Sequence, residues 1–209
     1  MRYRKIPDET VQRLPIYLRG LLFLSKQGQQ NVSSQNLADF LGVNPWQIRK
    51  DFSYFGDFGT RGVGYNIEKL IKQINKILKL DVVHKVALVG VDNLGSAILA
   101  YAGLGVYGFN IAAVFDIDPK KIGKKIRDIT VEDVSTLQTL KKRKIDLAII
   151  AVSRDAAQQT ADTLVKAGVK GILNFSPCHS HITVPKKVKV ITIDIAMDLA
   201  CLPYYMSAS

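Results

Sequence analysis

Two stretches of the sequence carry residue types and spacings suited to handling phosphates. In VGVDNLGSA, Gly90, Asp92 and Gly95 occupy the three glycine places of a G-x-G-x-x-G turn. Glycines there let a backbone approach a pyrophosphate at the N-terminus of a helix, whose free N–H groups favour anions. Twenty-one residues after Gly95, the apolar run IAAVF ends in Asp116. A dinucleotide fold needs a carboxylate near that place for the adenosine ribose hydroxyls, and an acid there favours NAD over NADP. Asp92 stands where the second glycine belongs and adds a negative charge beside an anionic ligand. Two such charges ~4 Å apart repel by roughly 1 to 4 kcal/mol. Three outcomes are open for Asp92: it turns to solvent, it caps the helix at Asn93 or Leu94, or it marks a lost nucleotide.

The second stretch is PWQIRKDFSYF followed by GDFGTRGVGY. Read as a helix, the first places Ile48, Phe52 and Phe55 toward a core. Gln47, Arg49, Lys50, Ser53 and Tyr54 then face outward, cations, amides and hydroxyls suited to phosphates and base edges. The second holds four glycines in ten residues with Arg61 between Gly59 and Gly62, the composition of a slim hairpin with a cation at its tip. A guanidinium so carried can enter a minor groove.

These residues need elements to position them. Leu14, Leu18, Leu21 and Leu22 predict a first helix over about Asp8 to Lys26, with Pro15 kinking it or starting its regular part. Ser33 or Ser34 caps a short helix bearing Leu37, Phe40 and Leu41, Gly42 ends it, and Asn44 with Pro45 starts the next. That layout is a helix-turn-helix. Asn66 caps a further helix carrying Ile67, Leu70, Ile71, Ile74 and Ile77, so the front part reads as a winged helix-turn-helix.

Near residue 82 the pattern changes to short apolar runs alternating with helical segments. Strands are expected at 86–90, at the run ending in Asp116, and at 146–152, 171–175 and 188–194, with a helix across Ala156 to Ala167. The fold class is α/β: a winged-helix domain over 1–81, a Rossmann-like parallel-sheet domain over 82–193, and a C-terminal dimerisation helix over 194–209. Ile195, Leu199, Leu202 and Tyr205 line one face of that last helix, and a homodimer is expected to cover it.

Composition narrows the class of protein. The 209 residues carry 29 basic and 18 acidic side chains, a net +11, which points to a polyanionic partner. Residues 1–81 hold 13 basic and 7 acidic side chains, so the front is more basic per residue. Cys178 and Cys201 are too few for a disulfide scaffold and lack metal-site spacing. No apolar run approaches the ~18 residues of a membrane span, and the first residues lack the apolar centre of a signal peptide. A cytoplasmic location without membrane contact is expected. KKIGKK (120–125) and KKRK (141–144) read as solvated faces.

RKDFSYFGDFGTRGVGY (49–65), VGVDNLGSA, FDIDPKKIG (115–123) and GVKGILNFSP (168–177) together resemble the Rex family of redox-sensing transcriptional repressors, over about residues 5 to 206. The resemblance implies a homodimer that binds double-stranded operator DNA when NAD+ prevails and releases it when NADH binds. It implies DNA contacts from Arg49, Lys50, Ser53, Tyr54, Arg61 and Gly62. It implies NAD(H) contacts from Gly90, Val91, Asp92, Asn93, Leu94 and Gly95, ribose recognition by Asp116, and nicotinamide surroundings near Tyr101. It also implies a C-terminal helix swapped between subunits and an interdomain pair at Arg19 and Asp194. Asp92, Ser153 and Ile195 depart from the family pattern, all on the nucleotide side.

Two other readings stay open on the sequence alone. One is a DNA-binding relative with weak or no NADH response. The other is an NAD-dependent oxidoreductase, which needs a proton-transfer group beside the nicotinamide and a substrate pocket. Neither is evident: His84 is expected in the linker and His179 and His181 in a loop, so the chain reads as no enzyme.

Overall fold

The computed structural model describes residues 6–56, 58–60, 62–176 and 182–206. The chain divides into two compact units, Met1–Val82 and Val83–Ser209. No helix among the described residues is long and apolar enough to cross a membrane.

In the first unit, α1 spans Asp8–Lys26 and continues through Pro15. Burial of Leu14, Tyr17, Leu18 and Leu21 along one face offsets the backbone bond that the proline lacks. A short strand β1 (Asn31–Val32) leads to α2 (Ser34–Leu41), whose first turn is capped by the Ser33 side chain accepting from the Asn36 N–H. Gly42 ends α2 at φ 66°, the left-handed region that glycine enters without strain. The Asn44 side chain then accepts from the Trp46 N–H and starts α3 (Pro45–Ser53), with Pro45 in the first turn. Next come β2 (Gly59–Thr60), β3 (Gly64–Asn66) and α4 (Ile67–Ile77). α1 packs against α2 and α4, and α2 packs against α3.

The wing is the antiparallel pair β2–β3, with Gly59 opposite Tyr65 and Thr60 opposite Gly64. β1 adds a third strand on the other edge of β3. Two residues are too few to show a period, so β1 leaves no mark in the sequence.

The second unit is a seven-stranded sheet in the order β10-β9-β8-β4-β5-β7-β6. Its strands are β4 (His84–Val89), β5 (Phe109–Asp116), β6 (Lys125–Ile126), β7 (Ile129–Asp133), β8 (Leu147–Ile150), β9 (Gly171–Asn174) and β10 (Lys189–Thr192). All neighbours pair in parallel except β6 with β7. Numbered by appearance, the six parallel strands follow the 3-2-1-4-5-6 order of a Rossmann sheet, which reverses direction of travel between β4 and β8. α5 (Asn93–Ala100) and α6 (Gly103–Val106) follow β4, a 3-10 helix (Val134–Lys141) joins β7 to β8, and α7 (Arg154–Lys166) joins β8 to β9. One core forms between the sheet, α7 and the 3-10 helix. The other, around Val86, Leu88, Val114 and Ile149, includes Leu99 of α5.

On α2, Leu37 is buried, whereas Phe40 is exposed and stacked on Phe23. Two expectations change. His84 opens β4 and stacks on Phe109, 5.5 Å between ring centroids, rather than lying in a linker. The C-terminal stretch is not one helix but two, α8 (Ile195–Leu199) and α9 (Leu202–Met206). Pro203 explains the break, because it has no N–H for the Leu199 carbonyl and its ring crowds that oxygen.

Candidate functional site

The DNA-facing candidates sit where α2, α3 and the wing meet. A hollow of about 500 Å³ there is lined by Ser33, Ser34, Arg49, Ser53, Thr60 and Gly62, among others. Arg49 donates to the Ser34 Oγ at 2.8 Å, which holds the guanidinium at the mouth of this hollow. Lys50 lies over the Trp46 ring at 4.9 Å from its centroid, a cation–π contact that orients the ammonium while leaving it exposed. The Ser53 hydroxyl donates to the Lys50 carbonyl at 2.7 Å. Tyr54 is half-buried just past the helix end, and Gly62 adopts φ 81° in the hairpin turn. Arg61 lies outside the described residues.

Gln47 does not face outward. Its amide donates to Asp51 Oδ1 at 2.9 Å, because the buried face of α3 is Ile48, Asp51 and Phe52, with Phe55 only half-buried. Asp51 is fully buried. Its carboxylate also accepts from Arg13 Nε at 2.6 Å and Nη2 at 2.8 Å, from the Tyr17 hydroxyl at 2.6 Å and from the Thr10 hydroxyl at 3.0 Å. Burial pushes the Asp51 carboxyl up, but hydrogen bonds from Arg13, Tyr17, Gln47 and Thr10 outweigh it and hold the group below the usual carboxylate range. Burial and the same carboxylate raise the Tyr17 phenol, so it stays a donor.

In the second unit, a hollow of about 430 Å³ opens at the C-terminal ends of β4, β5 and β8 and is lined by Gly90, Asp92, Asp116, Ile117, Val152 and Ser153, among others. This is where a doubly wound sheet binds its ligand. The glycine turn is tight. Gly90 has φ 91°, and a Cβ there would meet the Ala151 carbonyl oxygen at 2.5 Å. A Cβ on Gly95 would lie 1.9 Å from the Gly90 oxygen. The Gly90 N–H donates to the Phe115 carbonyl at 2.8 Å, and the Val91 N–H to Asp116 Oδ2 at 2.9 Å. Val91 is buried, whereas Asn93 and Leu94 are exposed in the first turn of α5.

Asp92 turns to solvent rather than capping α5. It precedes α5 without a side-chain capping bond, its side chain is 79% exposed, and it pairs with Lys121 Nζ. Lys121 Nζ also donates to Asp116 Oδ2 at 3.2 Å. Asp116 Oδ1 accepts from the Asp118 N–H at 2.9 Å. Burial pushes the Asp116 carboxyl up, and the Asp118 and Val91 N–H groups together with Lys121 bring it below its ordinary value. Both Asp116 oxygens thus serve the protein, and among the described residues Lys121 is the one donor to them on a flexible side chain. Tyr101 is exposed at the end of α5, its ring over Gly103, where a Cβ would come within 2.4 Å.

Two family profiles match the chain, one described as a CoA binding domain over residues 81–178 and one as a putative DNA-binding protein N-terminus over residues 5–53. The redox-sensing transcriptional repressor Rex of Chloroflexus aurantiacus is 44% identical over 202 residues, covering 96% of this chain and 94% of its own. The chain belongs to the Rex family. The Rex of Carboxydothermus hydrogenoformans is 45% identical over 205 residues and 98% of each chain. The solved structure of RSP, a Rex-family repressor, in complex with β-NAD+ and operator DNA matches with a TM-score of 0.89 at 39% identity, over 97% of this chain and 93% of that one. RSP in complex with β-NADH matches at 0.87 and 37% identity, over 97% and 95%. Rex-family membership sets the oxidoreductase reading aside, since Rex relatives are named as transcriptional repressors.

The two residues expected to form an interdomain pair lie in different units. Arg19 is exposed on α1, and Asp194 caps α8, accepting from the Ala196 and Met197 N–H groups at 3.1 and 3.3 Å. Sequence reasoning missed Thr10, Arg13, Tyr17 and Asp51, and also Lys121. The one signal for Lys121 is its place in the turn just after Asp116, inside a lysine-rich run that reads as solvated.

Proposed function

We propose that this chain is a homodimeric repressor that grips operator DNA with α3 and the wing and is released when NADH occupies the hollow after β4. The single observation that carries the reading is the pairing, in one chain, of a winged helix-turn-helix with a glycine turn at the switch point of a Rossmann sheet. Arg49, Lys50, Ser53, Tyr54, Arg61 and Gly62 contact phosphates and bases. Gly90 to Gly95 cradle the pyrophosphate, Asp116 fixes the loop beside the ribose, and Tyr101 neighbours the nicotinamide. The β-NAD+, operator-DNA and β-NADH complexes of RSP support this assignment.

Two arrangements of the winged units suffice, one of which spaces two α3 helices for successive major grooves. Moving a population from 99:1 to 1:99 takes about 5.5 kcal/mol of differential binding. One hydrogen bond supplies about 1 kcal/mol, so subunit repacking carries the rest. The exposed tail of α8 and α9, swapped onto the partner and tied by Arg19 to Asp194, is the element that transmits it. The protein acts in the cytoplasm with the DNA it controls. Fluorescence anisotropy of an A·T-rich palindromic duplex with NAD+, NADH or neither, at fixed salt, tests this reading. Tight binding with NAD+ and loss with NADH is expected; unchanged DNA affinity at saturating NADH overturns it.

A further inference from the structure

We propose that Lys121 is a nucleotide-binding residue of this chain, whose ammonium moves from Asp92 onto the incoming pyrophosphate and so lets an aspartate stand at the second glycine place. The inference rests on the dinucleotide reading of the hollow after β4.

The backbone at residue 92 has φ −73° and ψ −163°, an extended conformation that any residue adopts. Glycine is therefore required at Gly90 and Gly95 by the fold, whereas at 92 only a ligand would notice the difference. What the ligand meets is a carboxylate standing 79% exposed at the mouth of the turn. Its charge does not stand alone. Lys121, its side chain 26% exposed, spans Asp92 and Asp116, so the mouth holds one cation between two anions. Asp92 and Asp116 both raise the Lys121 ammonium above its ordinary value, and it stays charged at neutral pH.

Of the three groups, Lys121 alone can turn toward a phosphate without breaking the loop. Asp116 must keep the Val91 and Asp118 N–H groups, and Asp92 has nothing to donate. Without Lys121, two carboxylates would face an anionic ligand unopposed, and a charge ~4 Å away in a surface-like medium changes affinity tenfold or more. Removing Asp92 as well takes away the repulsion that Lys121 offsets.

The test is NADH affinity, read by nicotinamide fluorescence, of the full chain as wild type, Lys121→Met, Lys121→Arg, Asp92→Gly and the Asp92→Gly/Lys121→Met pair, with far-UV circular dichroism and thermal unfolding of each variant as the check that the second unit folds. Lys121→Met should weaken NADH about tenfold or more, Lys121→Arg should stay near wild type, and the double variant should recover most of the loss. Wild-type affinity in Lys121→Met, or an equal loss in the single and double variants, overturns the proposal alone. A wild-type chain that binds neither NADH nor NAD+ overturns the dinucleotide reading, and this proposal with it.

Discussion

Arg13 grips both carboxylate oxygens of Asp51, Nε at 2.6 Å and Nη2 at 2.8 Å, and so ties α1 to the helix that presents Arg49 and Lys50. A bidentate guanidinium–carboxylate pair fixes angle as well as distance. Thr10, Tyr17 and Gln47 fill the remaining acceptor positions of the same carboxylate. The rotational setting of α3 is therefore determined from beneath, by a buried polar cluster rather than by apolar packing alone.

Arg13→Ala should destabilise the first unit by about 3 to 5 kcal/mol, because it leaves a buried charge without its cation. Operator affinity should fall with it. Arg49→Ala should behave differently: its guanidinium is exposed, so the melting temperature should hardly move. DNA binding should weaken about equally across sequences, with the salt slope reduced by about one. Thermal unfolding and anisotropy at several salt concentrations separate the two, and a large melting shift for Arg49→Ala contradicts the assignment.

The same cluster sets an acid limit. Asp51 is held below the ordinary carboxylate value in the fold, and an unfolded aspartate titrates near ~3.9. Between those two points the unfolded state binds the extra proton, so the stabilisation is complete above about pH 4 and is lost as pH falls through the folded value. Acid unfolding followed by tyrosine fluorescence should show this dependence. Asp51→Asn, already less stable at neutral pH, should show a flatter acid limb, and a limb as steep as wild type would refute the assignment.

Gly95→Ala places a methyl group 1.9 Å from the Gly90 oxygen, a contact that only rearrangement of the turn relieves. NADH affinity should drop by about tenfold or more, since each ~1.4 kcal/mol of lost contact is a factor of ten. DNA binding without nucleotide should persist, because the winged unit has its own core. Loss of operator binding in this variant would show that the two units are not so separable.

How much of this is readable from sequence follows from what periodicity records. α1 falls where the leucine spacing puts it, β8, β9 and β10 fall within their apolar runs, and β4 and β5 overlap theirs but start two residues earlier, because buried runs bounded by turn residues have few alternatives. β7 carries a single buried side chain, Val131, among polar neighbours, and the 3-10 helix has no 3.6-residue stripe, so neither declares itself. Asp51 is hidden for another reason. A carboxylate in a basic helix reads as solvated, and the partners that permit its burial lie 34 to 41 residues away. Lys121 is concealed in the same way within a lysine-rich run.

The tail offers the last prediction. Ile195, Met197, Leu199, Leu202, Tyr204, Tyr205 and Met206 are all more than half exposed on α8 and α9. A soluble chain rarely leaves so contiguous an apolar surface to water unless a partner covers it. Pro203 divides the stretch into two five-residue helices, too short to hold together alone, so their order must come from the surface that receives them. If that surface belongs to a second copy, deleting 195–209 should convert the dimer to a monomer in sedimentation velocity. Operator affinity should then fall by about 10²- to 10⁴-fold, the gain that a linked second half-site supplies. A truncated chain that stays dimeric would place the subunit contact elsewhere, and Arg19 and Asp194 would lose their role in the switch.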